Sequence, residues 1–407
     1  MKKILSIIAG IAFVACTSFP DDPYADDLQQ LTVQAVYPEN YTQYLRAGVT
    51  VLLQDVNFGN RYTAQTDNLG LVTFRVANGI YRVAISDIAT EETMFNGMAD
   101  RVQVIGADRK MPINLQYSKP GSLIIKEIYC GGCSKAPEQG EYMMDKYVIL
   151  HNNSPRTIYL DGLCFGFADP YNSSGAENKW VTKDPVTGET IFPPFVPILD
   201  GLWQFGGGGT DFPVESGKDA VIAINGAINH EAQYPLSVNL NKPDYFVCYD
   251  EEHYPLVSYH PTPGDQIQQS HHLRVVIKLG KGTGYGFSTS SPATVIFRPI
   301  GTTIDEFVKV PSNVVQKPGA SSDKCALIPQ AWIIDGVDVF TKASDPVKRL
   351  QPIIDAGFVV FSESKKGHTL HRLPNEGASA AAGFEMYTDT NNSSNDFQER
   401  ATQSLHE

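Results

Sequence analysis

Beyond its first sixteen residues the chain has no run of eighteen apolar residues, so no transmembrane helix is expected after that point. Positive charge is scarce as well. Against 45 Asp and Glu stand 32 Lys and Arg, a formal net charge of −13, or −15 once Lys2 and Lys3 are set aside. Phosphates are recognised through Lys and Arg, so neither nucleic acid nor an anionic membrane face is expected as a partner. Motifs for several chemistries are also missing. No Ser sits in G-x-S-x-G, and neither G-x-x-x-x-G-K-[ST] nor G-x-G-x-x-G occurs. No H-x-x-x-H or H-x-H spacing is present to seat a metal. These residues give no positive sign of catalysis, and no cofactor is expected. Paired carboxylates converge in space rather than in sequence, which keeps a hydrolase with an unrecognised site as an alternative.

What the chain does have begins at its N-terminus. Lys2 and Lys3 precede an apolar stretch from Ile4 to Val14 that has signal-peptide length and is too short to span a bilayer. Phe13-Val14-Ala15-Cys16 resembles a bacterial lipobox, which implies cleavage before Cys16 and acylation of its thiol. Residues 1–15 are then a lipoprotein signal peptide and residues 16–29 an acidic tether carrying Asp21, Asp22, Asp26 and Asp27. Such a tether resembles the surface-export signal of Bacteroidota-type lipoproteins. The expected location is the outer membrane, lipid-anchored and facing the cell surface. More than one acyl chain makes such an anchor stable.

High Gly (34) and Pro (26) favour short strands and turns over long helices. In residues 30–117, Val49, Val51 and Leu53 alternate with Thr50, Leu52 and Gln54, and Val72, Phe74 and Val76 alternate with Thr73 and Arg75. Thr66 to Gly70 carries turn chemistry, and Asn78-Gly79 between two strand-like runs predicts a hairpin. The order AGVTVLLQD…YTAQTDNLGLVTFRVANGIYRVAIS resembles the carboxypeptidase-regulatory-like, transthyretin-type β-sandwich. Modules of that kind are usually stalks or spacers.

Tyr117 to Gly121 reads as a linker. A strand follows at Ser122 to Tyr129, then KYVILHNNS and IYLDGL, with later pieces PVESGKDAVIA and GHTLHR. This succession resembles a lamin-tail-like immunoglobulin sandwich. It departs from that pattern at Lys146, where an acidic residue is usual, and at Leu163, where Trp is usual. Residues 121–400 are much longer than such a tail. They resemble an uncharacterised Bacteroidota lipoprotein family with an expanded lamin-tail-like core, matched through LWQFGGGG, AINH and TDTNNSSNDF. Helical turns are expected near 303–310 and 346–356. The predicted fold class is all-β: two β-sandwich, immunoglobulin-like domains, the second enlarged by long loops and a few short helices.

Several local patterns invite chemistry. Gly206 to Gly209 and Gly280 to Gly286 are read as loops, because neither has P-loop spacing. His253, His260, His271 and His272 lie close together in a segment broken by Pro255, Pro261 and Pro263, and are read as a solvated loop with no metal. Asp389 to Asp396 places oxygen side chains at alternate positions as a calcium loop would, but lacks Gly at the sixth position; a polar Asx-capped turn is the reading adopted. Trp180, Trp203, Tyr254 and Tyr259 lie among Pro/Gly-rich loops and are the candidate ligand-binding residues. Trp332, Tyr171, Tyr249 and Tyr285 complete that aromatic set, of which at most a third is expected at the surface.

Cys130-Gly131-Gly132-Cys133 is the most conspicuous motif. A redox C-x-x-C belongs at a helix N-terminus, whereas this one follows a strand and enters a loop. In an exported protein a structural disulfide is expected instead, either Cys130–Cys133 or one of the two with Cys164. With Cys248 and Cys325 the total is an odd five after lipidation, so at least one thiol stays free or pairs between chains. The expected function is that of a non-enzymatic surface lipoprotein that binds a ligand or serves as accessory partner of a TonB-dependent outer-membrane transporter. An adhesin or matrix-type interaction protein is the alternative.

Overall fold

The computed structural model describes residues 28–90, 93–118, 121–175 and 177–406. Cys16, the signal sequence and nearly all of the acidic tether lie outside the described residues. The described chain is almost entirely β-structure with a few short helices.

The N-terminal strands form two sheets. One orders Leu71–Val76, Gln29–Val36 and Arg109–Asn114. The other orders Arg61–Gln65, Thr50–Asp55, Gly79–Thr90, Thr93–Val104 and Gln116–Ser118. Alternation does its work in Gln29–Val36, where Leu31, Val33 and Ala35 are buried, and in Leu71–Val76, where Val72, Phe74 and Val76 are. These residues meet Val51, Leu53, Val83, Ile85 and Phe95 in one core.

The hairpin expected at Asn78-Gly79 is not formed. Leu71–Val76 pairs with Gln29–Val36, whereas Gly79–Thr90 pairs with Thr50–Asp55 and Thr93–Val104. The dipeptide therefore carries the chain from one sheet to the other. Gly79 serves close approach, since a Cβ there would meet the Tyr81 ring at 3.2 Å.

In Thr50–Asp55 and Gly79–Thr90 the alternation fails for a physical reason: both faces are covered. Arg82 leaves the outer face and sits 4.2 Å from the Phe358 ring centroid and 5.2 Å from that of Phe340. Its guanidinium donates to the Ala343 carbonyl at 3.2 Å and pairs with Asp100. Arg61 donates to the Ser394 carbonyl at 3.1 Å. The first pair of sheets is thus docked through its cations onto the rest of the chain.

From residue 123 onward two larger sheets stack. The six-stranded one runs Phe246–Val247, Asp219–Ala223, Tyr147–Asn152, Leu123–Tyr129, Thr369–Arg372, Phe397–Arg400. The other is built around Phe195–Gln204, Cys164–Ala168, Ala293–Phe297 and Ile333–Phe340. Between them lie Ile125, Ile128, Val148, Leu150, Phe165, Phe167, Trp203, Ile296 and Val337. The long interior segments cover the outer faces. One lid packs Val238 and Leu240 over Tyr147, Ile149 and Val221. Another packs Phe307, Leu350 and Ile354 over Val196, Ile198 and Val295. Both sheets are therefore buried on both sides, which accounts for their fully buried strands.

Of the two helical turns expected, Ile304–Lys309 is a helix capped by Thr303, whose hydroxyl accepts from the Glu306 N–H at 3.2 Å. Residues 346–356 are not helical. There the backbone bends around Asp338, whose carboxylate accepts from the N–H groups of Arg349 (2.8 Å) and Leu350 (3.2 Å). Glu376–Ala382 is a helix that the sequence reading did not anticipate.

A buried ionic network joins the two large sheets. The ladder between Leu123–Tyr129 and Tyr147–Asn152 shifts register at Ile149/Leu150. Beside this irregularity the Ile125 N–H donates to Asp335 at 2.6 Å, and the Ile125 carbonyl accepts from Arg372 at 2.9 Å. Arg372 also pairs with Asp335 (2.8 Å), Asp389 (3.0 Å) and Asp396 (3.3 Å). The Asp389 to Asp396 turn thus wraps a guanidinium of its own chain.

Three carboxylates around one cation leave an excess of negative charge in a desolvated site. Burial pushes the Asp335 carboxyl up to about 6 and that of Asp396 up to about 7, with Arg372 pulling the other way. A carboxyl whose folded pKa is raised holds its proton more tightly when native. The cost of ionising it therefore appears as pH rises from the unfolded value of about 3.9 through 7. We expect Asp396→Asn to gain melting temperature relative to wild type between pH 5 and pH 8, read by circular dichroism melts. A gap that moves in the wild type's favour over that interval would contradict the assignment.

Candidate functional site

The three thiols expected to form a disulfide are free and buried, which corrects that expectation. Each faces a different packing environment. Cys130 lies in the core between the two large sheets, and Cys164 lies in the core on the far side of its own sheet. Cys133 begins a short ladder opposite Tyr142 and neighbours Tyr129 and Asp145. Burial pushes each thiol up to about 12. The glycines between Cys130 and Cys133 have steric reasons. A Cβ on Gly131 would meet the Phe361 ring at 2.8 Å, and Gly132 has φ +75° with the Tyr142 carbonyl 2.0 Å from its would-be Cβ.

Two other motifs turn out to be internal fixtures. The glycine run at 206–209 folds over the Asp161 carboxylate, which accepts from the N–H groups of Gly209 (2.9 Å), Asp211 (2.9 Å) and Phe212 (3.0 Å). Those donors outweigh burial and hold Asp161 below the usual carboxylate range. The histidines disperse. His253 binds Asp250 at 3.0 Å, His271 stacks on Phe246 with centroids 4.5 Å apart, and His260 Nε2 accepts from the Tyr285 N–H at 2.7 Å. Among the described residues no group of three or more His, Cys, Asp or Glu side chains is arranged to hold a metal ion.

Of the eight aromatics in that set, Tyr171 (40 %) and Tyr259 (42 %) are exposed. The candidate binding residues Trp203 and Tyr254 belong instead to the core, stacked with centroids 5.5 Å apart. Trp203 is not in a loop at all: it lies in the strand Phe195–Gln204 and faces inward. Trp180 is half-buried, and its indole N–H donates to Asp169 at 2.8 Å.

Tyr171 and Tyr259 flank one cleft of about 260 Å³. It is also lined by Met143, Met144, Lys146, Asp200 and the 284–289 segment, and so lies where the chain enters Tyr147–Asn152. Its parts are held from below. Arg349, fully buried, pairs with Asp338 at 2.7 Å and donates to the carbonyls of Ser291 (2.7 Å) and Pro170 (3.2 Å). That guanidinium fixes the segment before Tyr171 to the one after Thr289. On the other side, the Leu256 N–H donates to the Thr283 carbonyl at 3.0 Å, and the His260–Tyr285 bond anchors the same glycine-rich loop. Burial lowers His260 to about 4, so it stays the neutral acceptor this bond requires.

Asp200 is the strained member. It has φ +59°, where an L side chain is disfavoured, at an irregularity in the ladder between Cys164–Ala168 and Phe195–Gln204. Its carbonyl accepts three bonds, from the N–H groups of Leu279 (2.9 Å) and Gly280 (3.1 Å) and from the Tyr254 hydroxyl (3.0 Å). Asp200 lines the cleft with its carboxyl against Gly280, and burial pushes that carboxyl up to about 6 against the pull of Lys317. Lys146 is 4 % exposed, and its Nζ donates to the Phe287 carbonyl at 3.1 Å and lies 5.6 Å from the Phe287 ring centroid. Burial lowers it to about 8. The neighbouring Asp145 is engaged elsewhere, accepting from the hydroxyls of Tyr129 (2.9 Å) and Ser237 (2.6 Å).

The arrangement offers two aromatic faces, a thioether-lined wall, one cation and one readily protonated acid. Sequence reading missed Lys146 and Asp200 as site residues. The one available signal was Lys146, the position that departs from the lamin-tail pattern. A left-handed backbone at Asp200 makes a direct prediction. Asp200→Ala should be less stable than Asp200→Gly by about 1 kcal/mol, because only glycine relieves the conformation. Chemical denaturation of the two variants checks this, and equal stability would contradict strain at that position.

Residues 215–404 match the family model described as "Protein of unknown function (DUF4876)". That span contains Tyr259, the 284–289 wall, Arg349 and Arg372, whereas Lys146, Tyr171 and Asp200 precede it. No curated protein matches the chain. Among solved structures, a DUF4876 family protein from Bacteroides thetaiotaomicron is 24% identical, with 91% of this chain and 94% of that one covered at a TM-score of 0.55. A second, described as "a putative adhesin from Bacteroides ovatus", is 10% identical over 51% of this chain and 69% of its own, at a TM-score of 0.21. The first likeness establishes a shared fold: the β-sandwich architecture of a DUF4876 protein of uncharacterised function.

Proposed function

We propose that the protein is a non-enzymatic ligand-binding protein displayed at the cell surface, held to the outer membrane through an acylated Cys16. On this reading the cleft between Tyr171 and Tyr259 captures a small saccharide, and the protein serves as accessory partner of a TonB-dependent transporter. The observation that carries the reading is the pair of exposed tyrosines lining one cleft together with the charged side chains of Lys146 and Asp200. Rigid aromatics bind a flat ligand face at low entropic cost, and polar groups below them fix its orientation.

Titration calorimetry of the full-length protein in detergent against a saccharide panel tests this. Tyr171→Ala and Tyr259→Ala should each weaken binding about tenfold, equivalent to about 1.4 kcal/mol, with little change in melting temperature because both rings are partly exposed. Unchanged affinity in the double variant would exclude the cleft.

A further inference from the structure

The cleft contains a cation that makes no ion pair. The Lys146 ammonium is buried, donates to one carbonyl, and has no carboxylate within ion-pair distance among the described residues. Its sequence neighbour Asp145 pulls on it electrostatically but does not reach ion-pair distance, and gives one carboxylate oxygen to two hydroxyls. Every other buried cation described above is paired: Arg82 with Asp100, Arg349 with Asp338, and Arg372 with three aspartates. Retaining a buried charge with one neutral acceptor is costly, and an anion delivered into the site would offset that cost through a charge-assisted hydrogen bond.

We propose that the cleft selects sugar acids, with the Lys146 ammonium receiving the carboxylate of a uronic-acid ring held between Tyr171 and Tyr259. This rests on the reading of the cleft as a saccharide site and specifies its ligand. Asp200, lining the same cleft, then acts as a gate on charge. Ionised, it repels a ligand carboxylate; protonated, it can donate a hydrogen bond to it.

The groups that face this exchange are few. Lys146 comes from the segment before Tyr147–Asn152, with Cys130 and Asp145 beside it; Tyr171 and Asp200 come from the second sheet and its loops; Tyr259 and Tyr285 come from the opposite wall. Behind Asp200 stand Lys317, which pairs with Asp169, and Asp323. Burial places Asp200 at about 6 and Lys146 at about 8. Affinity for an anionic ring should therefore strengthen as pH falls through 6 and weaken as pH rises through 8.

The experiment is calorimetry of the full-length protein in detergent with digalacturonate and with its neutral counterpart, galactobiose, at pH 5.5, 7 and 9. The acid should bind at least tenfold tighter than the neutral sugar at pH 5.5, with the advantage shrinking by pH 9. Lys146→Met should abolish that preference while neutral binding persists, and neutral binding itself reports that the variant is folded. Asp200→Asn should remove the gain in acid affinity between pH 7 and pH 5.5. Equal affinity for the two sugars, or a preference that survives Lys146→Met, overturns the sugar-acid assignment and leaves the saccharide cleft standing. Binding of neither sugar at any pH overturns both readings.

Discussion

The fold from residue 123 onward depends on one buried contact, the Arg372 guanidinium against Asp335. Arg372 belongs to the six-stranded sheet and Asp335 to the sheet stacked on it, and both reach the backbone of Ile125 at a ladder irregularity. Hydrophobic packing brings two sheets together without fixing how they slide. A charged pair that also satisfies a specific N–H and carbonyl admits one arrangement. The same guanidinium then gathers Asp389 and Asp396, so a polar turn that could have been a cation loop becomes the shell of an internal cation.

A second network transmits that order to the cleft. Asp338 holds Arg349 and Lys348, and Arg349 in turn pins the carbonyls of Pro170 and Ser291 beneath the Tyr171 and Thr289 walls. Asp355 connects the two networks, accepting from Ser393 at the start of the short helix Ser393–Asp396 and from the Asp338 N–H. The cleft is thus built on paired charge. Lys146 stands out against this background because it is not paired, and Asp200 because its backbone is strained. Together they make this place more than a surface depression.

Much of the scaffold was legible because half-buried strands must alternate. Leu31, Val33 and Ala35, or Val72, Phe74 and Val76, announce a pleated face without knowledge of the partner. Legibility failed where tertiary contacts decided. Asn78-Gly79 is a hairpin signal locally, yet its flanking strands belong to different sheets. Residues 346–356 have the composition of helical turns, but Asp338 captures their N–H groups. Trp203 looked like a loop aromatic next to a glycine run, although it continues a long strand into the core. The C-x-x-C glycines proved to be required by Phe361 and Tyr142, neither of which sequence proximity alone can place there. In the cleft, Tyr259 was legible as an exposed aromatic. Asp200 was not, because a positive φ at a bulge leaves no composition signature.

Hydrogen–deuterium exchange on wild type and Arg372→Met tests the central claim most directly. If the Arg372–Asp335 contact fixes the stacking of the two sheets, exchange should accelerate in Leu123–Tyr129, Ile333–Phe340 and the 284–291 wall of the cleft, with residues 29–117 little changed. Acceleration confined to the 387–396 turn would show that the network holds only its own loop, and would contradict the account.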